Sequence, residues 1–360
     1  MIHIHNTVSL CETCYQHLPA TVYEEDGLIK LKKTCIMHGE QIAVVETDPE
    51  FYYSLEHHRD IEDFDQVLFE ASDRCQLSCP HCYHLPDNKI QDRAISNVIG
   101  QLLKFPRECS PMLAGAEATL RPDFIELCQE INMLDFKKFE VLSNGLKFAS
   151  DTFTKQCYDS GLKTMCFGLN HVSYQGEAVH AKQLRALNVL IDHDFDMGYV
   201  GYTVEDLDHL PDILNEIKQI NHPKINHFRI RCGSFIGRSS DQVRSYLSNL
   251  VAEVKKLTNN EIIAYPSDDN PYHVMVSWNG ILLRLIQWPD VTNIDMEELA
   301  TGPWCQFYEE GPITNFVHQA ITRDAFKNMG KPMLDVAPER YQYRPMTGAH
   351  FNYWKDSWKR

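Results

Sequence analysis

Three cysteines in one short stretch give this chain its most specific chemical signal. Cys75, Cys79 and Cys82 have the spacing Cys-x3-Cys-x2-Cys and directly follow a predicted strand. Three thiolates on one loop can bind three irons of a [4Fe–4S] cluster and leave the fourth iron without a protein ligand from that loop. Such an open iron can take a substrate or a cofactor, as an open zinc position does. The alternatives are a zinc site, which more often has paired Cys-x2-Cys elements, or unrelated thiols.

A second set of possible metal ligands lies near the N-terminus. Cys11 and Cys14 form one pair, and Cys35 and His38 form another pair twenty residues later. Two pairs on two turns can close a tetrahedral site, and Gly39 after the histidine suits a tight turn. The spacing predicts a structural site for zinc or for iron of the rubredoxin type, because both ions accept tetrahedral sulfur ligands. The alternative is four unrelated residues.

The elements that must position these residues follow a regular alternation. From residue 67 to residue 258, strand-like and helical stretches alternate, which predicts βα units and a parallel sheet. Roughly six units are too few for a closed eightfold barrel, so the predicted fold class is α/β with an open, partial (βα)6 barrel. The predicted domains are a small metal-bound module of rubredoxin or zinc-ribbon type (1–50), a linker (51–66), the core (67–258) and a β-rich C-terminal extension (259–360).

Three local predictions concern single elements of secondary structure. Only Leu28–Lys32 has a β-like pattern within the first fifty residues, and a long helix is predicted over Ser240–Leu257. In the extension, Asn279-Gly280 stands between two apolar runs, which is a strong hairpin signal.

The cysteine motif continues as Cys-Pro-His-Cys-Tyr and resembles the signature of the radical SAM superfamily, with His81 before the last cysteine. The resemblance implies that S-adenosylmethionine (SAM) chelates the open iron of a [4Fe–4S] cluster. It also implies that an electron from the cluster splits the sulfonium, and that the resulting 5′-deoxyadenosyl radical abstracts hydrogen from substrate. The protein then positions the reactants and excludes water. A reducing partner such as flavodoxin or ferredoxin is implied.

The same resemblance assigns residues that bind the cofactor at the end of the second strand. The family has Gly-Gly-Glu-Pro there, and this chain keeps Gly115 and Glu117 but has Ala116 and Ala118 at the other two positions. The glycine would permit close approach of the methionine part of SAM. The alternative is a strand-end turn with a surface glutamate.

Later strand ends supply further candidates. Ser143 and Asn144 resemble the Thr-Asn-Gly of the family, and Asn170 stands where family members often have Ser or Asp. Arg229 and Arg231 alternate on one face of the sixth strand, and Arg231 is assigned to the SAM carboxylate or to an acidic substrate. The alternative places both arginines against helices or solvent as salt-bridge partners.

The N-terminal module followed by this core resembles archaeal-type enzymes that methylate a pterin precursor or join lipid tails into tetraethers. The resemblance implies C-methylation of a small molecule, and C–C joining, epimerisation or rearrangement are the alternatives. Some relatives carry further cysteine-bound clusters near the C-terminus. After Cys166 only Cys232 and Cys305 remain here, so an additional all-cysteine cluster is not expected.

Composition narrows the class of protein. The net charge is −16, which argues against nucleic-acid binding. No apolar run is long enough for a membrane span, and the first residues lack the pattern of a secretory signal, so a cytoplasmic protein is expected. Twelve cysteines in a reducing compartment indicate metal binding more than disulfides. A non-catalytic iron–sulfur electron carrier and a degenerate scaffold are the competing classes.

Overall fold

A computed structural model describes most of the chain up to residue 295 and two short strands beyond it. The described residues are 1–14, 16–55, 66–82, 86–103, 107, 110–232, 245–266, 272–287, 289–295, 305–306 and 314–315. Within these ranges, no helix is both long and apolar enough to cross a lipid bilayer.

The N-terminal module is a four-stranded antiparallel sheet in which neighbours along the chain pair with each other. Its strands are β1 (Ile2–Leu10), β2 (His17–Glu25), β3 (Leu28–Cys35) and β4 (Gly39–Glu46), followed by helix α1 (Pro49–Ser54). Asp26 and Gly27 have φ of 56° and 72°, as a tight hairpin between β2 and β3 requires. The prediction of one β-stretch was too modest, because Leu18, Ala20 and Val22 already alternate along β2 with the period of a strand, and all three are buried.

The core is a parallel sheet flanked by helices. Six strands run parallel in sequence order: β5 (Gln66–Ser72), β6 (Ser110–Gly115), β7 (Glu140–Ser143), β8 (Thr164–Gly168), β9 (Asp196–Val204) and β10 (Phe228–Cys232). The helices are α2 (Ile95–Leu102), α3 (Phe124–Asn132), α4 (Asp151–Asp159), α5 (Val172–Gln175), α6 (Glu177–Asp192), α7 (Leu210–Ile220) and α8 (Leu247–Leu257). Short 3₁₀ turns cover Ala118–Leu120, Leu146–Ala149 and Leu207–His209. The predicted helix over Ser240–Leu257 begins at Leu247, and residues 240–244 lie outside the described residues.

The extension enlarges the same sheet. Strands β11 (Ile262–Pro266), β12 (His273–Trp278) and β13 (Ile281–Ile286) form an antiparallel meander, and β13 pairs in parallel with β10. Asn279 and Gly280 have φ of 49° and 83°, so the predicted hairpin is present. At the other edge, β14 (Cys305–Gln306) pairs in parallel with β5 and antiparallel with β15 (Thr314–Asn315).

The two faces of the large sheet differ in burial. The apolar side chains of β10 and β13 on one face are fully buried in a core shared with the helices. The residues that alternate with them, including Arg229, Arg231 and Arg284, are half-buried on the opposite face. We call this opposite face the inner face. Because β13 pairs with β10, the extension continues the inner face beyond the six parallel strands.

The N-terminal module is fixed to the core by buried polar contacts. Lys33 is 1% exposed, and its ammonium donates to the carbonyls of Val291 and Thr292 at 2.9 and 2.8 Å. Asp295 accepts from Thr7 Oγ1 at 2.5 Å. The module therefore packs against the segment that follows β13. The buried polar groups of Lys33, Thr7 and Asp295 each have a hydrogen-bond partner there.

Candidate functional site

Cys11, Cys14, Cys35 and His38 converge in the N-terminal module. Their ligand atoms all lie within 4.8 Å of one another. The two sulfurs of Cys14 and Cys35 are 3.8 Å apart, and His38 Nδ1 lies 3.4 Å from Cys11 Sγ and 3.4 Å from Cys35 Sγ. Around a tetrahedral zinc ion, bond lengths of about 2.3 Å to sulfur and about 2.0 Å to nitrogen give separations of about 3.8 and about 3.5 Å. The four donors therefore fit one tetrahedral ion.

Turns of the small sheet set this geometry. Cys35 ends β3, and Gly39, with φ of 76°, closes the turn that brings His38 back. Gln41 Nε2 lies 3.5 Å from Cys11 Sγ, so an amide donor supports the sulfur from outside the ligand set. Four protein ligands close the site, which suits a structural ion.

The Cys-x3-Cys-x2-Cys loop follows the carboxyl end of β5, and all three of its cysteines are half-buried. The loop is held from outside by Asp92, which accepts from Ser72 Oγ at 2.7 Å and pairs with the Arg74 guanidinium. Asn88 Oδ1 accepts from the backbone N–H of Cys75 at 3.0 Å. The backbone of the loop is therefore anchored before any metal binds.

Hydrogen-bond donors reach two of these sulfurs. Cys75 Sγ accepts from the Leu77 N–H at 3.3 Å and lies 3.7 Å from Asn144 Nδ2. Gln175 Nε2 donates to Cys79 Sγ at 3.1 Å. Burial raises the pKa of the Cys75 thiol to about 11, so binding iron at neutral pH would release its proton. Donors of this kind fit iron-bound thiolates and influence the potential of a cluster.

Gly115 and Glu117 lie beside the loop in different roles. Gly115 has φ of 112°, and a Cβ there would stand 2.3 Å from the Ser72 carbonyl oxygen, so a side chain is excluded. Glu117 is 1% exposed and accepts from Thr119 Oγ1 at 2.5 Å, Ser143 Oγ at 2.9 Å and the Asn144 N–H at 2.8 Å. Burial raises the pKa of this carboxyl. Glu117 thus ties the end of β6 to the end of β7.

The predicted residues after β7 link the strand end to the cysteine loop. Ser143 Oγ accepts from the Gly145 N–H at 2.9 Å while it donates to Glu117. Asn144 Oδ1 accepts from Gln76 Nε2 at 3.2 Å, in addition to the contact of its amide with Cys75. The structure therefore brings both residues to the loop.

His81, Asn170 and Arg231 form a second group at the same edge of the sheet. Asn170 Oδ1 accepts from the Thr203 N–H at 3.3 Å, and Arg231 Nη2 donates to Thr203 Oγ1 at 3.2 Å. Burial and the positive charge of Arg231 lower the pKa of His81 to about 3, and an interaction with Asn170 acts the other way. His81 is therefore a neutral imidazole, packed edge-on against Tyr174 at 5.2 Å.

Several supporting residues of the site were not predicted from the sequence. Arg121 is 1% exposed and donates to the carbonyls of Ala71 and Arg93, and fully buried Gln183 donates to the carbonyls of Asn144 and Gly168. A polar residue inside the apolar stripe of α6 was a usable signal for Gln183. Asp92 and Gln175 had no such signal, because their partners are distant in sequence.

Known sequences resemble the N-terminal module and part of the chain. Residues 3–47 match the family model described as the HMPTM N-terminal zinc ribbon domain. The chain is 26% identical over 198 residues to 7,8-dihydro-6-hydroxymethylpterin dimethyltransferase of Methanocaldococcus jannaschii. That match covers 46% of this chain and 39% of the relative, so the chain spans less than half of the curated relative that it matches.

A solved structure extends the likeness to the whole fold. Streptococcus suis SuiB aligns with a TM-score of 0.51 at 11% identity over 96% of this chain and 88% of SuiB. A structure of SuiB bound to S-adenosylmethionine aligns with a TM-score of 0.44 at 14% identity over 56% of this chain and 48% of that chain. The first likeness concerns the fold alone and confirms the predicted α/β partial barrel of the radical SAM type. Module, relative and fold together show that the chain resembles the radical SAM subgroup that carries an N-terminal zinc ribbon and includes pterin-methylating enzymes.

Proposed function

We propose that this chain is a radical SAM enzyme that abstracts hydrogen from a small-molecule substrate, with C-methylation as the outcome. One observation carries the proposal. Three half-buried cysteines lie at the carboxyl edge of a parallel sheet, and amide donors from two other segments contact two of their sulfurs. A zinc site closed by four protein ligands does not need such an open edge, whereas a cluster with one free iron does.

Each polar residue at the carboxyl edge of the parallel sheet has a proposed role in binding the cluster or SAM. Cys75, Cys79 and Cys82 would hold three irons of a [4Fe–4S] cluster. When bound and reduced, that cluster supplies the electron that splits SAM into methionine and a 5′-deoxyadenosyl radical. Gly115 offers bare backbone next to the loop, and His81 stays neutral, so it can donate or accept a hydrogen bond without adding charge.

The remaining polar groups of the edge would orient SAM. Ser143, Asn144 and Asn170 present amide and hydroxyl groups at successive strand ends, and Arg231 adds a positive charge beside Asn170. Carboxylates are bound well by guanidinium groups, so Arg231 suits the carboxylate of SAM. Glu117 acts by holding Ser143 and Asn144 in place.

The N-terminal site is proposed to hold zinc in a structural role. Its four donors have tetrahedral separations, and the matching family is a zinc ribbon. Methylation is preferred among the radical outcomes because the curated relative is named a dimethyltransferase. Reduced flavodoxin or ferredoxin is the proposed electron donor.

The test is 5′-deoxyadenosine formation by anaerobically reconstituted protein, reduced with dithionite, supplied with SAM and assayed by mass spectrometry. Wild type should form the product, and Cys79→Ala should form none. Cys128→Ala, which removes a buried thiol on α3, is the matched control and should remain active. A wild-type protein with a full cluster and no product would contradict the proposal and favour an iron–sulfur electron carrier.

The methyl-transfer part has its own test. SAM with a deuterated methyl group is supplied together with a small-molecule extract, and products are searched for the label by mass spectrometry. Labelled products that need an intact Cys79 support methylation. Substrate-dependent 5′-deoxyadenosine without labelled product would assign the enzyme to rearrangement, epimerisation or C–C joining instead.

A further inference from the structure

Two polar residues of α6 reach the ends of neighbouring strands. Gln183 is fully buried, and its Nε2 donates to the carbonyl oxygens of Asn144 after β7 and of Gly168 at the end of β8, at 2.9 and 3.0 Å. His180, one turn earlier on the helix, has its Nδ1 3.1 Å from the carbonyl oxygen of Asn170. Helix α6 therefore contacts the backbone at two strand ends where SAM is proposed to bind.

The other side of the His180 ring contacts a carboxylate. Its Nε2 lies 2.6 Å from Glu216 Oε1 on α7, and the Tyr202 hydroxyl donates to Glu216 Oε2 at 3.0 Å. Tyr202 is in register with Ile230, so it lies on the helix side of the sheet, opposite the inner face. The side chains of His180 and Glu216 are only 14% and 17% exposed. This network therefore lies between α6, α7 and the sheet, largely shielded from water.

The two contacts of the His180 ring determine its protonation. A carbonyl oxygen accepts hydrogen bonds and cannot donate them, and the same is true of an ionised carboxylate. Each ring nitrogen must therefore carry a hydrogen, which makes the ring an imidazolium. The hydrogen bond to Glu216 raises the pKa of His180, in agreement with this geometry. If the ring loses one proton, the stronger bond to the carboxylate should keep the remaining hydrogen, and a nitrogen lone pair would then face the Asn170 carbonyl.

Glu216 is the charged group that acts on His180 most strongly. Other titratable groups lie around the network on α5, on α7 and the turn before it, and on α6 itself: His171, Tyr174, His209, Asp212 and Glu177. Burial and the nearby His209 lower the pKa of His171, and burial raises the pKa of Tyr174, so neither adds charge at neutral pH. Glu177 is exposed, where water screens its charge.

Asn170 connects this network to the proposed SAM site. Its Oδ1 accepts from the Thr203 N–H at 3.3 Å, and Thr203 Oγ1 accepts from Arg231. Asn170 also interacts with His81, which precedes the last cysteine of the loop. A shift of the Asn170 backbone would therefore disturb several of the groups that are proposed to orient SAM.

We propose that His180 is a positioning residue: as an imidazolium paired with Glu216, it fixes the Asn170 carbonyl and thereby increases the affinity of the protein for SAM. When the ring gives one proton to solvent as the pH rises, the bond to Asn170 is lost and the affinity for SAM falls. The inference rests on the proposed function for one point, that SAM binds at this edge of the sheet.

The test compares wild type with Glu216→Gln. SAM is titrated by anaerobic calorimetry, over a range of pH, into the full-length protein with its metals bound and its cluster oxidised. The new amide can accept from Tyr202 and donate to His180 Nε2, so a neutral ring keeps its Nδ1–H for Asn170 at every pH. Wild type should match Glu216→Gln below pH 6.5 and should bind SAM about three- to tenfold more weakly once the pH exceeds the folded pKa of His180. The ratio of the two dissociation constants cancels the titration of SAM itself.

Two further variants complete the comparison. His180→Phe, which has no donor, should bind SAM weakly at every pH. His193→Gln, at the other end of α6, is the matched control and should follow wild type, because His193 pairs with exposed Asp151 at 2.8 Å. If His180→Phe does not fold, the comparison of wild type with Glu216→Gln decides alone.

The outcomes separate this inference from the proposed function. A ratio that does not change with pH, or a folded His180→Phe protein with wild-type affinity, would overturn the inference while SAM binding stands. Nitrogen NMR of histidine-labelled protein should show both ring nitrogens of His180 protonated below pH 6.5, and a neutral ring there would also overturn it. Absence of SAM binding by wild type with a full cluster would contradict the proposed function and this inference together.

Discussion

The two cysteine sites of this molecule are built in opposite ways. In the N-terminal module, four donors from two turns of one small sheet stand within 4.8 Å of one another. In the core, the cysteines come from one loop, but two side-chain amides that contact their sulfurs come from elsewhere: Asn144 after β7 and Gln175 at the end of α5. A closed structural site can thus be made locally, whereas an open reactive site is assembled across the fold.

Mutations in the two sites should have different effects. Loss of a ligand in the module should first destabilise the module, because its four donors bind the same ion. Loss of a support residue in the core should change the behaviour of the cluster while the zinc site is unaffected. Among the described residues, the module docks on the core through buried polar contacts that include those of Lys33.

The largest expected effect is from Cys35→Ser. Removing one of four ligands should abolish zinc binding and destabilise the module by several kcal/mol, because structural zinc contributes directly to folding. Metal analysis and calorimetry would show zinc near zero and an early unfolding transition, with iron retained by the core. Cys128→Ala is the control with intact zinc. Loss of iron together with zinc would show that the two sites are not separable.

Asp92→Asn should have the next largest effect. The carboxylate holds Ser72 and Arg74 at the start of the cysteine loop, and hydrogen bonds to charged groups are worth about 1.5–3 kcal/mol. We expect lower iron occupancy after reconstitution and unchanged zinc. Asp159→Asn, at an exposed position on α4, should alter neither metal. Full iron occupancy in the Asp92 variant would mean that the loop does not depend on this anchor.

Gln175→Ala should change the potential of the cluster more than its amount. The amide donates to Cys79 Sγ, and hydrogen bonds to cluster sulfurs favour the reduced state. One such bond is worth about 1 kcal/mol, which corresponds to about 40 mV for one electron. A redox titration should show a lower midpoint potential with normal iron content, and Gln156→Ala should match wild type. An unchanged midpoint potential would show that the hydrogen bond from Gln175 to Cys79 Sγ does not influence the cluster.

The smallest predicted effect is a pH dependence at the same edge of the core. The hydrogen bond to Glu216 at 2.6 Å raises the pKa of His180, whose other ring nitrogen meets the Asn170 carbonyl. A raised folded-state pKa stabilises the fold fully below the unfolded value of 6.5, and the effect is lost as pH rises through the folded pKa.

Urea unfolding of wild type and Glu216→Gln at several pH values checks this sign. The wild-type advantage should be about 0.5–1 kcal/mol near pH 5.5 and should shrink at high pH. An advantage that is constant or grows with pH would contradict the assignment. Glu253→Gln, which affects an exposed pair on α8, should show no such trend.

Sequence alone was sufficient to predict that Cys11, Cys14, Cys35 and His38 come together, and to predict the βα alternation. Cysteine spacing is a local property, and a helix or strand that packs on a core repeats its apolar residues at a fixed period. The hairpin predicted at Asn279-Gly280 is likewise present, because its signal lies in two adjacent residues. The roles assigned to the cofactor-binding residues remain predictions.

The support residues could not be predicted in the same way. Asp92 follows its partner Ser72 by twenty positions, and Gln175 follows Cys79 by ninety-six. Nothing in the composition of their own segments marks them, because an isolated polar residue in a loop or a short helix is ordinary. Likewise, the pairing of Arg229 with Arg284 depends on the register of β10 with β13, which only the folded sheet establishes.

The most direct test of the central claim is electron paramagnetic resonance of the dithionite-reduced, reconstituted protein with and without SAM. If Cys75, Cys79 and Cys82 leave one iron open for SAM, the reduced [4Fe–4S] signal should change its g values when SAM is added. The signal should be absent in Cys79→Ala and present in Cys35→Ser. A full wild-type cluster whose spectrum is identical with and without saturating SAM would contradict the account.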